Sequence, residues 1–274
     1  MSLSDSQSSS QDKPIVQQSK RTDLILEHVK KHKHATIQEL VDITSSSPAT
    51  IRRDVNKLAD SGLVFRERGG ISFGRAINRQ PTTAEKQAEN LNVKKAIAYA
   101  ALSHIKDGMT VFLDAGTTNF ELATLLIERH DVTVITTDLR IAFHLSEAGN
   151  NQVIIAGGNI DNCSQSVIGA YSEHLLDSII PDICFCTCSA FDSNNGVTSP
   201  TQEKAVLKRK LATLGKMNIL LTDSSKLNCV GTHKIAPLSA YDLLISDTDL
   251  PDKAHNRLEE EVPLELVEVA TAGE

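Results

Sequence analysis

The stretch Ser46-Ser47-Pro48-Ala49-Thr50-Ile51-Arg52-Arg53-Asp54-Val55 is written as the start of a two-faced helix. Ser47 can cap it, its hydroxyl accepting from a free backbone N–H. Pro48 suits the first turn, where no backbone donor is needed. Ile51, Val55 and Leu58 recur at three- and four-residue spacing, so one face is buried. Ser47, Thr50, Arg52 and Arg53 fall near the helix start on the other side. Small hydroxyls and guanidinium forks placed there can meet phosphates and base edges in a major groove. A solvated charged face reads equally well from this stretch alone, so its neighbours must decide.

Upstream, residues 1–19 are Ser- and Gln-rich with few large apolar groups, and a disordered tail is expected. The tail lacks the apolar core of a secretory signal. No apolar run is long enough to span a membrane, so a cytoplasmic location is the default expectation. A first helix is expected from about Thr22, its stripe made by Leu24, Ile25, Leu26 and Val29 and its end by the cations Lys30 to His34. Thr36 caps a short second helix carrying Ile37, Leu40, Val41 and Ile43, and Thr44 to Ser46 make a polar turn. After the third helix, Gly62 to Phe73 reads as two brief strands around Gly69-Gly70. A helix-turn-helix with such a ribbon is a winged module, and Arg66 and Arg68 would lie along phosphates or a minor groove. Charge agrees. Residues 1–79 hold 13 Lys/Arg against 9 Asp/Glu, whereas the whole chain carries −7. A basic front on an acidic body suits a nucleic-acid reader joined to something else.

The body reads differently. Gly74, Pro81 and polar residues without periodicity suggest a linker over 75–88, followed by an alanine-rich helix from Glu89 to Ile105. Short β-branched runs then alternate with helical stretches: Thr110–Leu113, Val132–Thr136, Gln152–Ala156, Ile183–Cys188, Asn218–Leu221 and Leu243–Ile245. This predicts an α/β domain with a mostly parallel sheet. Such sheets bind ligands beyond the carboxyl ends of their strands. That rule points to Asp114-Ala115-Gly116-Thr117-Thr118-Asn119, between a strand and a helix. Gly116 would let a ligand approach the backbone, Thr117 and Thr118 offer hydroxyls, and the helix start offers N–H groups, the parts of a phosphate cradle. Helix capping alone is the plainer meaning. Thr137, Gly157, Gly158 and Asp223-Ser224-Ser225-Lys226 end other strands. Lys208 and Lys226 could each neutralise part of a phosphate as point charges. Asp114 and Asp223 could accept protons from the hydroxyls of a polyol. Arg209 and Lys210 read as a solvated face.

Five cysteines are spaced unlike a disulfide framework. Cys184, Cys186 and Cys188 would share one strand face, without the further ligands a zinc site needs. Small buried residues are the expectation, with no metal and no cofactor. In the Glu-rich tail after Pro251, Leu264, Leu266 and Val267 suggest a final edge strand.

The front resembles the N-terminal domain of the DeoR-type bacterial transcriptional regulators, through Thr50-Ile51-Arg52-Arg53-Asp54, Leu58, Gly62, Arg66 and Gly69-Gly70. The body resembles the effector-sensing domain of the same family. The carriers there are Asp114-x-Gly116-Thr117-Thr118, Gly157-Gly158, Gly169, Gly196-Val197-Thr198, Lys208 and Asp223-Ser224-Ser225-Lys226. That domain is similar in fold to ribose phosphate isomerases and coenzyme A transferases. The resemblance implies a domain plan of 1–19 tail, 20–74 winged helix-turn-helix, 75–88 linker, 89–250 sensor and 251–274 extension. It implies a repressor of carbohydrate catabolism genes that binds operator DNA and is relieved by a phosphorylated sugar or sugar acid. The chain departs from the family pattern at Thr137, where the family has the second residue of a Thr-Asn pair. It departs again over Thr187 to Phe191, and at Lys204, where the family often has glutamate.

Two other classes are expected to leave different traces. A sugar phosphate isomerase or transferase with an accessory DNA module would need an acid/base pair, and no convincing one stands out. A sensor acting through protein contacts would lack salt-dependent DNA affinity. A homo-oligomer, dimer or tetramer, is expected for reading paired half-sites.

Overall fold

The computed structural model describes residues 13–60 and 63–269. Residues 1–12 of the expected tail, and Gly62 of the ribbon motif, lie outside them. The chain divides into two compact units, Met1–Arg75 and Ala76–Glu274.

In the first unit, α1 (Lys13–His32) begins at Lys13 rather than near Thr22. Amphipathic periodicity sets in only at Leu24, which is why the earlier turns were illegible. Then come β1 (His34–Thr36), α2 (Ile37–Thr44), α3 (Pro48–Asp60), β2 (Phe65–Glu67) and β3 (Gly70–Ser72). Thr36 caps α2 in a full capping box with Glu39. Ile25, Val29, Leu40, Ile51, Val55, Leu58, Val64 and Ile71 close one small core. The ribbon β2–β3 is antiparallel, and β1 adds a third strand that the sequence reading lacked. The two turn glycines have separate reasons. Gly69 takes a φ of +90°. Gly70 lies so close to the Ala35 carbonyl that a Cβ would strike it.

The second unit opens with β4 (Arg75–Ile77), α4 (Thr83–Ala88) and α5 (Leu91–Leu102). It continues β5 (Thr110–Leu113), α6 (Thr117–Leu126), β6 (Thr133–Thr136), α7 (Leu139–Ala148), β7 (Gln152–Ile155), β8 (Asn159–Asp161), β9 (Ser166–Ile168), α8 (Ala170–Leu176), β10 (Ile183–Thr187), β11 (Ala190–Asp192), β12 (Gly196–Ser199), α9 (Gln202–Leu211) and β13 (Met217–Leu221). It closes with β14 (Cys229–Gly231), β15 (His233–Ala236), β16 (Leu243–Asp247), α10 (Asp252–Glu259) and β17 (Leu264–Val267). Seven strands form one sheet in the order β17-β16-β13-β10-β5-β6-β7, every pairing parallel. Both faces are covered, as a parallel sheet requires. Val111, Leu113, Val134, Ile183 and Phe185 meet α5, α6 and α7 on one face. Phe112, Ile135, Cys184, Cys186 and Leu220 meet the Leu207 and Leu211 side on the other. Each fully buried side chain of this size contributes about 1.5–3 kcal/mol.

The stretch expected as a linker is not featureless, since Thr82 and Glu85 form a second capping box at the start of α4. The expected edge strand is β17, parallel to β16. Cys184 and Cys186 lie on one buried face with their sulfurs 3.7 Å apart, while Cys188 lies past the strand end against the Thr222 hydroxyl. Burial pushes the Cys188 thiol up to about 11. All five cysteines are free thiols. Among the described residues no group of three His, Cys, Asp or Glu could hold a metal, and no helix is long and apolar enough to cross a membrane.

Candidate functional site

Two sites follow from these units, one on each. In the first, the Thr50 N–H donates to the Ser47 hydroxyl at 3.2 Å, so Ser47 caps α3. The two hydroxyls also bond to each other at 2.9 Å. Arg52 and Arg53 are fully on the exposed side, Thr50 is half-buried, and Ile51, Val55 and Leu58 are buried. Arg66 and Arg68 are exposed on the ribbon and its turn. Asp54 goes the other way. It is 1% exposed and accepts from the Arg21 Nε at 2.5 Å, tying α1 to α3. The acid of the Thr-Ile-Arg-Arg-Asp run therefore holds the helices together, leaving the two arginines beside it free of acidic partners among the described residues.

The second site lies beyond the carboxyl ends of β5, β6, β10 and β13. Asp114 is 1% exposed and is the hub of a buried cluster. Its Oδ2 accepts from the Thr187 N–H at 2.9 Å, from the Thr187 hydroxyl at 3.0 Å and from the Lys208 ammonium. Lys208 also donates to the Thr187 carbonyl at 2.9 Å. Lys208 is thus paired with Asp114. A Cβ at Gly116 would lie 2.7 Å from the Thr187 hydroxyl, so this turn packs against Thr187.

Asn119 locks the loop from below, donating to the carbonyls of Asp114 and Phe185 at 2.7 and 2.8 Å. Gly116 precedes α6 without any side-chain cap, so the first N–H groups of that helix stay available. The Thr117 and Thr118 hydroxyls have no hydrogen-bond partner among the described residues. The buried Thr137 hydroxyl also has none. Asp223 caps the turn Ser224–Lys226 and accepts from the Asn90 amide at 3.1 Å and from the Ser225 hydroxyl. Lys226 lies 4.0 Å from it. Asp114 and Asp223 each commit one carboxylate oxygen to the protein, Oδ2 of Asp114 and Oδ1 of Asp223. Gly157 and Gly158 are exposed, and they turn the chain into the β8–β9 hairpin. Gly158 takes a φ of +145° with the Ile168 carbonyl where a Cβ would go.

The sequence reading missed Lys86, Lys94 and, as a member of this cluster, Lys204. Lys94 is 3% exposed and donates to the carbonyls of Lys86 and Glu89. Lys204 is 6% exposed, one helical turn before Lys208, and meets Asp161 at 3.3 Å. Lys86 is half-buried on α4, and its ammonium has no acceptor among the described residues. Burial, with Lys204 and Lys208 close by, lowers the Lys86 ammonium to about 7. Burial and the Lys208 charge lower Lys204 as well. At Asp161 burial acts to raise the pKa, but the Ser164 hydroxyl and Lys204 outweigh it and the net shift is downward. The signal for Lys86 was the Thr82-x-x-Glu85 box, which marks a helix inside the supposed linker. The signal for Lys204 was its spacing of four from Lys208.

Segment 80–90 is fastened across this cluster. Thr83 N–H donates to the Cys163 carbonyl at 3.0 Å, and Asn90 reaches Asp223 and Ser225. A separate groove of about 550 Å³ is lined by Phe120, Arg140, Phe143, His144 and Ile160, among others, and by none of the residues expected to bind effector.

Residues 21–75 match the model of the DeoR-like helix-turn-helix domain, and residues 89–248 match that of the DeoR C-terminal sensor domain. The chain belongs to the DeoR family. Among DeoR-family and other relatives, an uncharacterised HTH-type transcriptional regulator of Haemophilus influenzae is 34% identical over 240 residues, covering 88% of this chain and 93% of that one. The L-fucose operon activator of the same organism is 30% identical, covering 88% and 96%. A ribose 5-phosphate isomerase A from Methanocaldococcus jannaschii superposes at a TM-score of 0.38 with 18% identity, covering 51% of this chain and 55% of that one. The two DeoR models cover the two units in the order expected, and the chain is a DNA-binding transcriptional regulator.

Proposed function

We propose that this DeoR-family regulator represses carbohydrate catabolism genes and releases its operator when a phosphorylated sugar or related metabolite occupies the sensor unit. Arg52 and Arg53, with Thr50 and the capping Ser47, contact base edges and phosphates. Arg66 and Arg68 of the wing contact phosphates or a minor groove. The effector lies against Asp114, Gly116, Thr117, Thr118, Thr137, Gly157, Gly158, Lys208, Asp223, Ser225 and Lys226, in several cases through the scaffold they hold rather than by direct touch. A homodimer or tetramer presents paired wings to two half-sites.

The observation that carries this reading is the presence of an exposed arginine face on α3 in one unit and of a lysine-rich cluster beyond the strand ends of a parallel sheet in the other. A sensing role is supported by the structural work of the two acids: Asp114 Oδ2 ties Thr187 to Lys208, and Asp223 Oδ1 ties Asn90 to Ser225. A coupling of ~1–3 kcal/mol between the sites is enough for control.

The test uses the full chain and the promoter fragments flanking its own gene. Gel shifts run over a salt series should show affinity falling steeply with salt. Adding sugar phosphates should weaken operator binding, and the same compounds should raise the melting temperature. Failure to bind any fragment at low salt would overturn the regulator reading. Tighter operator binding with ligand would overturn the repressor assignment. Turnover of a sugar phosphate would overturn the sensing role.

A further inference from the structure

The cluster beyond the strand ends of the sensor unit carries more positive charge than its acids match. Five lysines converge there: Lys86, Lys94, Lys204, Lys208 and Lys226. The acids set among them are Asp114, Asp161 and Asp223. Asp138 is already committed to Arg140 at 3.0 Å, while Glu89 is exposed and Glu121 half-exposed. Among the described residues Lys94 is held by main-chain carbonyls and Lys86 has no acceptor, so two ammonium groups there lack a carboxylate bonded to them. Burying unmatched cations is costly unless an anion completes the site.

The cations also fall into two sets by the partners they keep, on adjacent turns of α9. In one set are the uncapped start of α6, the Thr117 and Thr118 hydroxyls, and Lys208 with Asp114. In the other are Lys204, bridged to Asp161 and 3.5 Å from the Ser166 hydroxyl, and Lys86 of α4, whose charge neighbours are Lys204 and then Lys208. The first set has the donors a phosphate needs. The second offers one ammonium already shared with Asp161 and one with no acceptor among the described residues, which suits a single negative charge rather than the nearly double charge of a phosphate.

We propose that the sensed metabolite is a phosphorylated sugar acid, its phosphate seated at the Thr117, Thr118 and Lys208 set and its carboxylate at the Lys86 and Lys204 set. Lys86 and Lys204 are then the residues that choose an acid over the corresponding aldehyde. The proposal rests on the effector reading given above and narrows it.

The test compares a hexose phosphate with the aldonate phosphate made by oxidising its aldehyde carbon, and with the unphosphorylated aldonate. Binding to the full chain is followed by calorimetry and thermal shift. The aldonate phosphate should bind at least about tenfold tighter than the hexose phosphate, the equivalent of one added charge contact. Lys204→Gln and Lys86→Gln should each erase that margin, and Lys204→Arg, which keeps the charge, should retain it. Melting without ligand shows whether each variant is folded, and Lys86 on the overlying helix is the variant to read if Lys204→Gln is not. Equal affinities for the two phosphorylated compounds, or a margin that survives both glutamine substitutions, would overturn the proposal while leaving phosphate sensing intact. If neither phosphorylated compound binds, phosphate sensing itself fails and the proposal fails with it.

Discussion

The two units use their cations in opposite ways. The DNA-binding unit wears arginine outside, at Arg52, Arg53, Arg66 and Arg68, and buries one acid, Asp54. The sensor unit buries lysine, with Lys94 and Lys204 almost wholly enclosed and Lys208 close behind, around acids that only partly match it. The chemistry explains the split. Guanidinium forks stay charged and pair bidentately with phosphate and base edges at an open surface, whereas ammonium groups are compact and change their pKa when enclosed. Exposed charges are screened by salt and buried ones far less so. The front should therefore respond to ionic strength and the body to pH.

The largest effect expected is in the body. Asp114→Ala leaves the Lys208 ammonium enclosed without its counter-charge, which costs about 3 kcal/mol or more. Urea unfolding would measure it, and a loss under 1 kcal/mol would break the contrast, since the pair would then behave like a surface bridge. Next comes the front. Arg52→Ala should weaken operator binding by about 1–3 kcal/mol at matched salt and leave metabolite-induced stabilisation unchanged. Unchanged gel-shift affinity would remove α3 as the reading helix.

A smaller effect separates the two regions by pH. Lys86 is held at about 7 in the free protein, and an anion beside it favours its protonated form. Binding should therefore take up a proton near neutrality, and affinity should fall as pH rises through about 7. A phosphate monoester is already close to doubly charged above ~6, so the slope belongs to the lysine. Lys86→Gln should flatten it, as calorimetry in buffers of different ionisation heat would show. The smallest effect is on the wing. Arg66→Ala should weaken binding to all sequences alike and lower the salt slope by about 1. A change confined to one base position would mean that the wing reads bases.

Much of this was legible from residue order. The caps at Ser47 and Thr36, the apolar rows of the helices and the six β-branched runs are local signals, and they located α2, α3 and six strands of the main sheet, with β17 marked by Leu264, Leu266 and Val267. What escaped was non-local. The third strand of the small sheet is three residues long and pairs across 36 positions. Gly116 looked like room for a ligand because nothing near it in the chain announces Thr187. Lys208 and Asp114, each sought as a ligand contact, satisfy one another across 94 residues. Lys86 was overlooked because a short capped helix between two domains has the composition of a linker.

That short helix bears on how such regulators can be recombined. Gln80 and Thr83 are stitched to Cys163, and Asn90 to Asp223, so the spacing from Thr83 to Asn90 tolerates little insertion or deletion. A chimera that exchanges operator-reading modules between relatives has to be spliced upstream of Gln80. A junction any later would import part of a foreign roof, and the hybrid would inherit the new promoter together with a blurred chemical taste.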